Sequence, residues 1–149
     1  MALKKNRVIL ITGASRGVGK GVALGIAKKG DTIIITGRSL VKGTSVSQFG
    51  LTLESSLEST AEALSKIGAH PICYQLDQNN DEEVKRLVEM INLEYGKLDI
   101  IVHSSCQIHD DLIKPLPFWK KSINMWSLVD VGLRSNYILS YYAAPLMVK

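Results

Sequence analysis

The stretch Val8-Ile-Leu-Ile-Thr-Gly-Ala-Ser-Arg-Gly-Val-Gly19 decides the fold of this chain. The four apolar residues at its start predict a short strand that is buried on both faces. Gly13, Gly17 and Gly19 follow with a G-x-x-x-G-x-G spacing. Glycine permits a tight turn and lets backbone approach a phosphate, and a helix that starts here offers free N–H groups to an anion. The stretch therefore predicts a strand, a phosphate-binding loop and a helix.

Two other interpretations of this loop are weaker. A nucleoside-triphosphate P-loop needs G-x-x-x-x-G-K-[ST]. Here Gly19-Lys20 is followed by Gly21, so the hydroxyl that would bind magnesium is missing. A purely structural glycine turn is the second alternative. The position of the glycines between a strand and a helix favours the phosphate loop over both.

Three further apolar runs alternate with helical patterns. The runs are Ile33–Ile35, Ile72–Leu76, and Leu98 with Ile100–Val102. Three of the four runs are nearly continuous rather than alternating, which is typical of strands covered by helices on both faces. The sequence therefore predicts an α/β fold, a Rossmann-type doubly wound parallel sheet that is truncated after about four strands.

Local signals predict where the helices begin and end. Ser55-x-x-Glu58 and Asn80-x-x-Glu83 have the spacing of capping boxes and predict two helix starts. Gly30, Gly68 and Gly96 predict three helix ends. The apolar repeats of the three helices are Val18, Val22 and Ile26; Leu57, Ala61 and Leu64; and Val84, Leu87, Val88 and Ile91.

The remaining segments are less regular. Residues 40–54 predict a loop insertion and residues 103–118 a second long loop. The segment 119–149 predicts a short helix and then a longer one that Pro145 ends or kinks. An apolar stripe in the longer helix predicts core packing, with an oligomer contact through this last helix as the alternative; its members are Leu133, Tyr137, Tyr141 and Ala144.

Composition restricts the class of protein. The chain has 149 residues, a length that suits one domain. Its net charge is +4, but its basic residues are scattered along the sequence, so we expect no nucleic-acid partner. The two cysteines, Cys73 and Cys106, do not make a disulfide framework. The sequence shows no signal peptide and no apolar stretch of the roughly 20 residues that a membrane helix needs. The expected location is cytoplasmic.

The glycine loop Thr12–Gly19 resembles the cofactor loop of the short-chain dehydrogenase/reductase family, and Leu98–Val102 resembles that family's fourth strand. The resemblance runs along the whole chain and covers the front part of the family's fold. It implies that residues 1–149 are an incomplete NAD(P)-binding Rossmann domain whose complete form acts on a small-molecule substrate. A narrower resemblance, to the group around dehydrogenase/reductase SDR family member one, lies in Thr36–Arg38, Pro117–Trp119, Val131–Arg134 and Ala143–Met147.

The resemblance implies roles for several residues of the loop and of the third strand's end. Asp77 would accept a hydrogen bond from the adenine amino group, although it could also be an ordinary loop aspartate before the third helix. The residues implied to line the pyrophosphate and the adenosine ribose are Gly13, Ser15, Gly17 and Val18, with Gly19 in the same loop.

Two arginines bear on the choice between NAD and NADP. An acidic residue after the second strand would bind the ribose 2′-hydroxyl of NAD, but this chain has Gly37-Arg38 there. Arg16 in the glycine loop and Arg38 would suit a 2′-phosphate through charge-assisted hydrogen bonds. The alternative is a pair of solvated surface arginines. We expect NADP rather than NAD.

Two departures from the family pattern concern the reactive end of the cofactor. The family usually has Asn-Asn-Ala-Gly after the fourth strand, whereas this chain has His103-Ser-Ser-Cys106. A side chain at Cys106 would lie where backbone approaches the nicotinamide ribose. Many members carry a catalytic asparagine in the next helix, and the aligned residue here is Gly132, a glycine that the narrower group shares.

The serine, tyrosine and lysine that perform the family's chemistry are not recognisable here. In the family the tyrosine moves a proton, and a lysine four residues later lowers its pKa and holds the ribose. The family places this motif after a fifth strand, so the sequence predicts a truncated product without dehydrogenase activity of its own. The residues four positions after the five tyrosines are Gln78, Asp99, Tyr141, Pro145 and Leu146.

Three functions follow from these patterns. The favoured function is an NADP-dependent oxidoreductase that transfers hydride between NADPH and a carbonyl or alcohol, present here as its cofactor-binding half. The alternative is a catalytically silent regulator that binds NADP or a partner protein. The third is a non-functional translation product, which predicts aggregation because missing strands expose a sheet edge.

A zinc site is a further candidate. His103-x-x-Cys106-x-x-His109, with Asp110 and Asp111, offers imidazole, thiolate and carboxylate ligands. The sequence has no second ligand pair elsewhere, and polar residues are common in loops. We therefore expect no metal.

Overall fold

The computed structural model describes residues 6–41 and 56–148. In these ranges the strands are β1 (Val8–Ile11), β2 (Thr32–Gly37), β3 (His70–Gln75) and β4 (Ile100–Val102). The helices are α1 (Gly17–Ile26), α2 (Leu57–Ile67), α3 (Asp81–Tyr95), α4 (Ser127–Val129) and α5 (Ser135–Met147). Three 3₁₀ turns follow β4, at Asp110–Ile113, Phe118–Lys120 and Ile123–Trp126, and a π turn, Asp130–Arg134, joins α4 to α5.

The four strands form one parallel sheet in the order β3-β2-β1-β4. Ile9 is paired with Ile33 on one side and with Ile100 on the other. This arrangement confirms the Rossmann-type fold. β3 lies at an edge, which explains how it accommodates Pro71, since proline cannot donate to a neighbouring strand.

Apolar side chains fill both faces of the sheet, as the continuous apolar runs predict. Ile9, Ile11, Ile33 and Ile35 belong to the core beneath α1 and α2. Leu10 and Ile34 belong to the opposite core, with residues of α3 and α5. All six side chains are fully buried, and each contributes roughly 2 kcal/mol through the area it removes from water.

The predicted start of α3 agrees with the structure, and the predicted start of α2 differs from it by one residue. The Asn80 side chain accepts a hydrogen bond from the Glu83 N–H at 3.2 Å, so α3 begins as predicted. The cap of α2 is Ser56, which accepts from the Ser59 N–H at 3.0 Å. The predicted box at Ser55 was therefore wrong by one residue, and Ser55 itself lies outside the described residues. Serines at 55 and 56 both suit a cap, and only the helix geometry decides between them.

Two of the three predicted helix ends are confirmed, and the one at Gly30 was wrong by three residues. Gly68 and Gly96 end α2 and α3 in the left-handed conformation, with φ of +87° and +66°. Helix α1 ends at Ile26 with the extended Ala27 as its C-cap, and Gly30, with φ of +88°, lies in the turn that follows. The buried residues of α3 are those of its apolar repeat, but α1 buries Gly19 and Ala23, and Val18 is exposed.

The stripe assigned to the core in the last helix was wrong. Leu133, Tyr137 and Tyr141 are each about two-thirds exposed, and Ala144 is exposed. The side chains that α5 buries are Ser135, Leu139, Ala143 and Leu146. Residues 133 and 135 point about 200° apart on a helix, so the two stripes lie on opposite sides. Both sides are apolar, and periodicity alone does not identify the one that faces the sheet.

The irregular segments are only partly described. Residues 42–54 of the predicted insertion lie outside the described residues. The predicted loop 103–118 contains a 3₁₀ turn, and the predicted short helix is replaced by 3₁₀ turns followed by α4 and the π turn. Helix α5 continues two residues past Pro145 before it ends. No helix within residues 6–41 and 56–148 combines the length and the apolar character of a membrane span.

Candidate functional site

The glycine loop lies at the carboxyl edge of the sheet, between the end of β1 and the start of α1. Gly13 and Gly17 have φ of +66° and +54°, in the left-handed region that favours glycine. A Cβ added to Gly19 would lie 2.4 Å from the carbonyl oxygen of Gly13, so the first turn of α1 packs directly on the loop. The backbone geometry thus explains why each of these three positions is a glycine.

The loop also packs against the segment after β4. A Cβ on Gly13 would lie 2.6 Å from the carbonyl oxygen of Ser104. The buried Thr12 hydroxyl accepts hydrogen bonds from the N–H groups of Ser104 and Ser105, at 3.1 and 3.2 Å. Sequence reasoning missed this role, although a hydroxyl between an apolar strand and the first glycine was a signal for it.

Two further hydrogen bonds tie the loop to its other neighbours. The Ala14 N–H donates to the Thr36 carbonyl of β2 at 3.0 Å. The Thr60 hydroxyl of α2 donates to the Ala14 carbonyl at 2.8 Å and is fully buried. Thr60 was also missed, and its signal was a hydroxyl on the otherwise apolar face formed by Leu57 and Leu64.

Helix α1 differs from its neighbours at its amino terminus. Its N-cap residue, Arg16, is extended and makes no side-chain cap, whereas side chains of Ser56 and Asn80 cap α2 and α3. The first N–H groups of α1 therefore remain available, together with the positive end of the helix dipole. Negative groups of a ligand would be stabilised at this position.

The residues that precede the two predicted arginines are in contact. A Cβ on Gly37 would lie 3.5 Å from the Ser15 Cβ, so the ends of the glycine loop and of β2 are in contact. Arg16 and Arg38 are the next residues after Ser15 and Gly37, and both are exposed. The Gln75 side chain donates to the Arg38 carbonyl at 2.9 Å and fixes the backbone there.

Asp77 lies in the turn between β3 and α3. Its carboxylate accepts from the Asn79 N–H at 3.0 Å, and its own N–H donates to the Glu83 carboxylate at 3.2 Å. Asp77 also lines an open cleft of about 530 Å³ at the ends of β2 and β3, together with Arg38, Glu83 and Arg86. The turn thus gives Asp77 a structural role and leaves it beside a space that a ligand can enter.

Comparison with known proteins decides the family. The family model described as short chain dehydrogenase matches residues 7–149. This chain belongs to the short-chain dehydrogenase/reductase family. Dehydrogenase/reductase SDR family member 1 of Mus musculus is 33% identical over 152 residues, which cover 99% of this chain and 44% of the mouse protein. The chain therefore spans less than half the length of this relative.

Solved structures of short-chain dehydrogenase/reductases have the same fold. A metagenomic short-chain oxidoreductase in complex with NADP gives a TM-score of 0.75 at 20% identity, over 95% of this chain and 57% of that chain. The 3-oxoacyl-[acyl-carrier protein] reductase from Brucella melitensis, in complex with NAD, gives 0.76 at 20% identity, over 98% and 51%. The family binds a nicotinamide cofactor, and these two neighbours differ in which one they hold.

The segment where this short-chain dehydrogenase/reductase departs from the family pattern has its own contacts. The His103 Nε2 atom lies 3.0 Å from the Ser140 hydroxyl of α5, and burial lowers the pKa of the His103 imidazole. The Cys106 side chain is exposed. The Asp111 carboxylate pairs with Lys114, and His109 Nδ1 accepts from the Asp111 N–H at 3.1 Å. Across residues 6–41 and 56–148, no three potential ligands gather as a metal site.

Gly132 lies in the π turn, where polar side chains donate hydrogen bonds to backbone carbonyl groups. The Asn136 amide donates to the Gly132 carbonyl at 2.8 Å, and the Ser135 hydroxyl donates to the Val131 carbonyl at 2.7 Å. Arg134 makes a bidentate ion pair with Asp81, at 2.8 and 3.0 Å. Its guanidinium is the main reason that the pKa of Asp81 is lowered. The π turn is thus fixed to the start of α3.

Proposed function

We propose that this chain binds NADP at the carboxyl edge of its sheet, as the cofactor-binding domain of an oxidoreductase that transfers hydride between NADPH and a carbonyl or alcohol substrate. The domain extends over residues 1–149. The hydride transfer belongs to the whole protein, because none of the chain's tyrosines is followed by a lysine four residues later. The cytoplasmic location expected from the sequence also stays a prediction.

One observation carries the proposal: the uncapped start of α1 lies behind a loop with two left-handed glycines. In strand-to-helix loops of this kind, backbone N–H groups and the helix dipole stabilise a pyrophosphate. The residues proposed for this contact are Gly13, Ser15, Gly17, Val18 and Gly19. Asp77 is proposed to accept from the adenine amino group.

The preference for NADP rests on charge. Arg16 and Arg38 follow two residues that are in contact, and no carboxylate follows β2 at the position that would bind a ribose hydroxyl pair. Guanidinium groups bind phosphate through charge-assisted hydrogen bonds, which are stronger than bonds to a neutral hydroxyl. We therefore expect NADPH to bind more tightly than NADH.

The test is a fluorescence titration of the chain with NADPH and with NADH. We expect the Kd for NADPH to be at least about tenfold lower, and Arg38→Ala to remove most of this difference. Equal affinities would contradict the preference for NADP, and no binding of either cofactor would contradict the proposal as a whole. Val41, an exposed residue near the end of the same segment, offers a control as Val41→Ala.

A second readout separates binding from chemistry. With NADPH and a panel of aldehydes and ketones, we expect this chain alone to bind the cofactor without consuming it, since the tyrosine and lysine pair is missing. Sustained loss of NADPH absorbance would contradict that expectation.

The exposed stripe along the π turn and α5 favours a second candidate function, binding of a partner protein. Leu133, Tyr137 and Tyr141 form an apolar row at helical spacing, each about two-thirds exposed. We propose a second copy of the chain as the partner, in contact through this helix. Light scattering after size exclusion tests it: a dimer that Tyr137→Glu dissociates supports the proposal, and a monomer at all concentrations contradicts it.

A further inference from the structure

The five arginines of the chain fall into two groups. Arg7 and Arg134 form ion pairs with Asp31 and Asp81. The side chains of the other three make neither a hydrogen bond nor an ion pair with any residue in 6–41 and 56–148; they are Arg16, Arg38 and Arg86. A guanidinium without a protein partner is available to an anion from solution.

Two of these unpaired arginines share one cleft. Arg38 enters it from the end of β2 and Arg86 from the exposed side of α3, and the cleft has a volume of about 530 Å³. Arg86 is followed by the fully buried Leu87, which fixes its place on the helix. Two cations on different elements around one space repel each other, and an anion between them relieves that repulsion.

The two carboxylates that line the same cleft accept hydrogen bonds from the turn before α3. The Glu83 carboxylate accepts from the Asp77 N–H at 3.2 Å and from the Asn80 side-chain amide at 3.0 Å. The Asp77 carboxylate accepts from the Asn79 N–H at 3.0 Å. These contacts close the turn before α3, and neither carboxylate forms an ion pair with Arg38 or Arg86 in the described parts of the chain.

We propose that Arg86 is a specificity-determining residue, which binds the 2′-phosphate of NADP together with Arg38. The inference rests on the proposed function, because the cofactor's adenosine end must lie at the carboxyl ends of β2 and β3. A phosphate dianion matches two guanidiniums from different elements, each able to donate two parallel hydrogen bonds. Arg86 thereby adds a contact from α3 to those expected from the glycine loop and β2.

The experiment measures the Kd of 2′,5′-ADP and of 5′-AMP, two probes that differ only in the 2′-phosphate, by calorimetry. Wild type is expected to bind 2′,5′-ADP more tightly. Arg86→Ala weakens 2′,5′-ADP about tenfold and leaves 5′-AMP within about twofold, since one charge-assisted contact to the phosphate is lost. Arg86→Lys keeps the charge without the paired donors and gives an intermediate loss.

Lys85→Ala is the matched control. Lys85 precedes Arg86 on α3 and carries the same charge, but it lines a different cleft, between α3 and α5, beside Tyr142. We expect Lys85→Ala to change neither affinity, which separates a local contact from a general effect of net charge. Thermal denaturation of each variant checks that the fold is intact.

The possible failures are distinguishable. A wild-type chain that binds neither probe overturns both the NADP proposal and this inference. Suppose that the wild-type chain prefers 2′,5′-ADP and that Arg86→Ala leaves both affinities unchanged or weakens both equally. This result overturns only the role of Arg86. The same preference lost equally in Lys85→Ala also overturns it.

Discussion

The two ends of the parallel sheet differ in whether their arginine side chains are paired with carboxylates of the protein. At the amino end, Arg7 donates to the Asp31 carboxylate, which also accepts from the Lys28 N–H at 2.9 Å. At the carboxyl end, Arg16 and Arg38 have no such partner in the described parts of the chain. Backbone packing differs as well, because the tightest glycine contacts lie at the carboxyl end.

This difference separates stability from binding. Charges at the amino end are satisfied by the protein itself, so their loss weakens the fold. The arginines at the carboxyl end lack such partners among the described residues, and we propose that they bind a ligand. Their loss is then expected to weaken binding and to leave the fold intact. The following substitutions test this division, and they run from the largest expected effect on stability to the smallest.

Gly13→Ala is expected to cause the largest loss. The left-handed backbone and the added Cβ, 2.6 Å from the Ser104 carbonyl oxygen, together cost more than about 3 kcal/mol of unfolding free energy. Urea denaturation measures it. Gly21→Ala is the control, since a Cβ there meets open space within α1 and should stabilise by up to about 1 kcal/mol. A loss below about 1 kcal/mol for Gly13→Ala would show that the loop can relax.

Asp31→Ala comes next, with an expected loss of about 2 kcal/mol, because the buried carboxylate is the hydrogen-bond partner of the Arg7 guanidinium. Burial alone would raise the pKa of Asp31, but the hydrogen bonds from Arg7 and Lys28 outweigh it and lower that pKa below its usual value.

The sign of the pH dependence follows from this lowered pKa. The contribution of Asp31 is fully present above its unfolded-state pKa of about 4 and is lost as pH falls through the folded-state value. The stability difference between wild type and Asp31→Ala should therefore shrink in acid. A difference that stays constant from neutral pH down to about pH 2 would contradict the role of the ion pair.

Thr60→Val is expected to cost about 1 to 2 kcal/mol. The substitution removes the donor to the Ala14 carbonyl and keeps the shape of a buried side chain, so one buried acceptor loses its partner. Thr60→Ser retains the hydroxyl and serves as the control in the same denaturation experiment. An unchanged stability of Thr60→Val would contradict the role of this hydrogen bond.

Arg38→Ala has the smallest expected effect on stability, within about 0.5 kcal/mol, because its exposed side chain has no partner among the described residues. The same variant should lose NADPH affinity. A stability loss comparable with that of Asp31→Ala would abolish the distinction between the two ends of the sheet.

The sequence predicts the sheet well because its signals are local. Val8–Ile11 is a strand with the predicted bounds, and the apolar repeat of α3 is its buried face. The core stripe of α5 was assigned to the wrong side, since both sides are apolar and the sheet decides which one is buried. The segment after β4 was predicted least accurately, because its 3₁₀ and π turns depend on pairs such as Arg134 with Asp81.

The sequence predicted the glycines of the candidate site, but it did not predict the side chains that support the glycine loop. The spacing of the glycines identifies the loop from 8 consecutive residues, Thr12 to Gly19. Thr12 and Thr60 support the loop through partners far along the chain, and Arg86 shares only a cleft with Arg38. No local sequence pattern specifies such neighbours.

The hydrogen bonds from Ser104 and Ser105 to Thr12 join residues 92 and 93 positions apart. Closing so long a segment is entropically costly, which slows the formation of contacts of large sequence separation. The glycine loop therefore reaches its final shape only after β4 has docked beside β1. During synthesis the loop is made before Ser105, yet it is completed only once Ser105 has been translated and has folded back onto it.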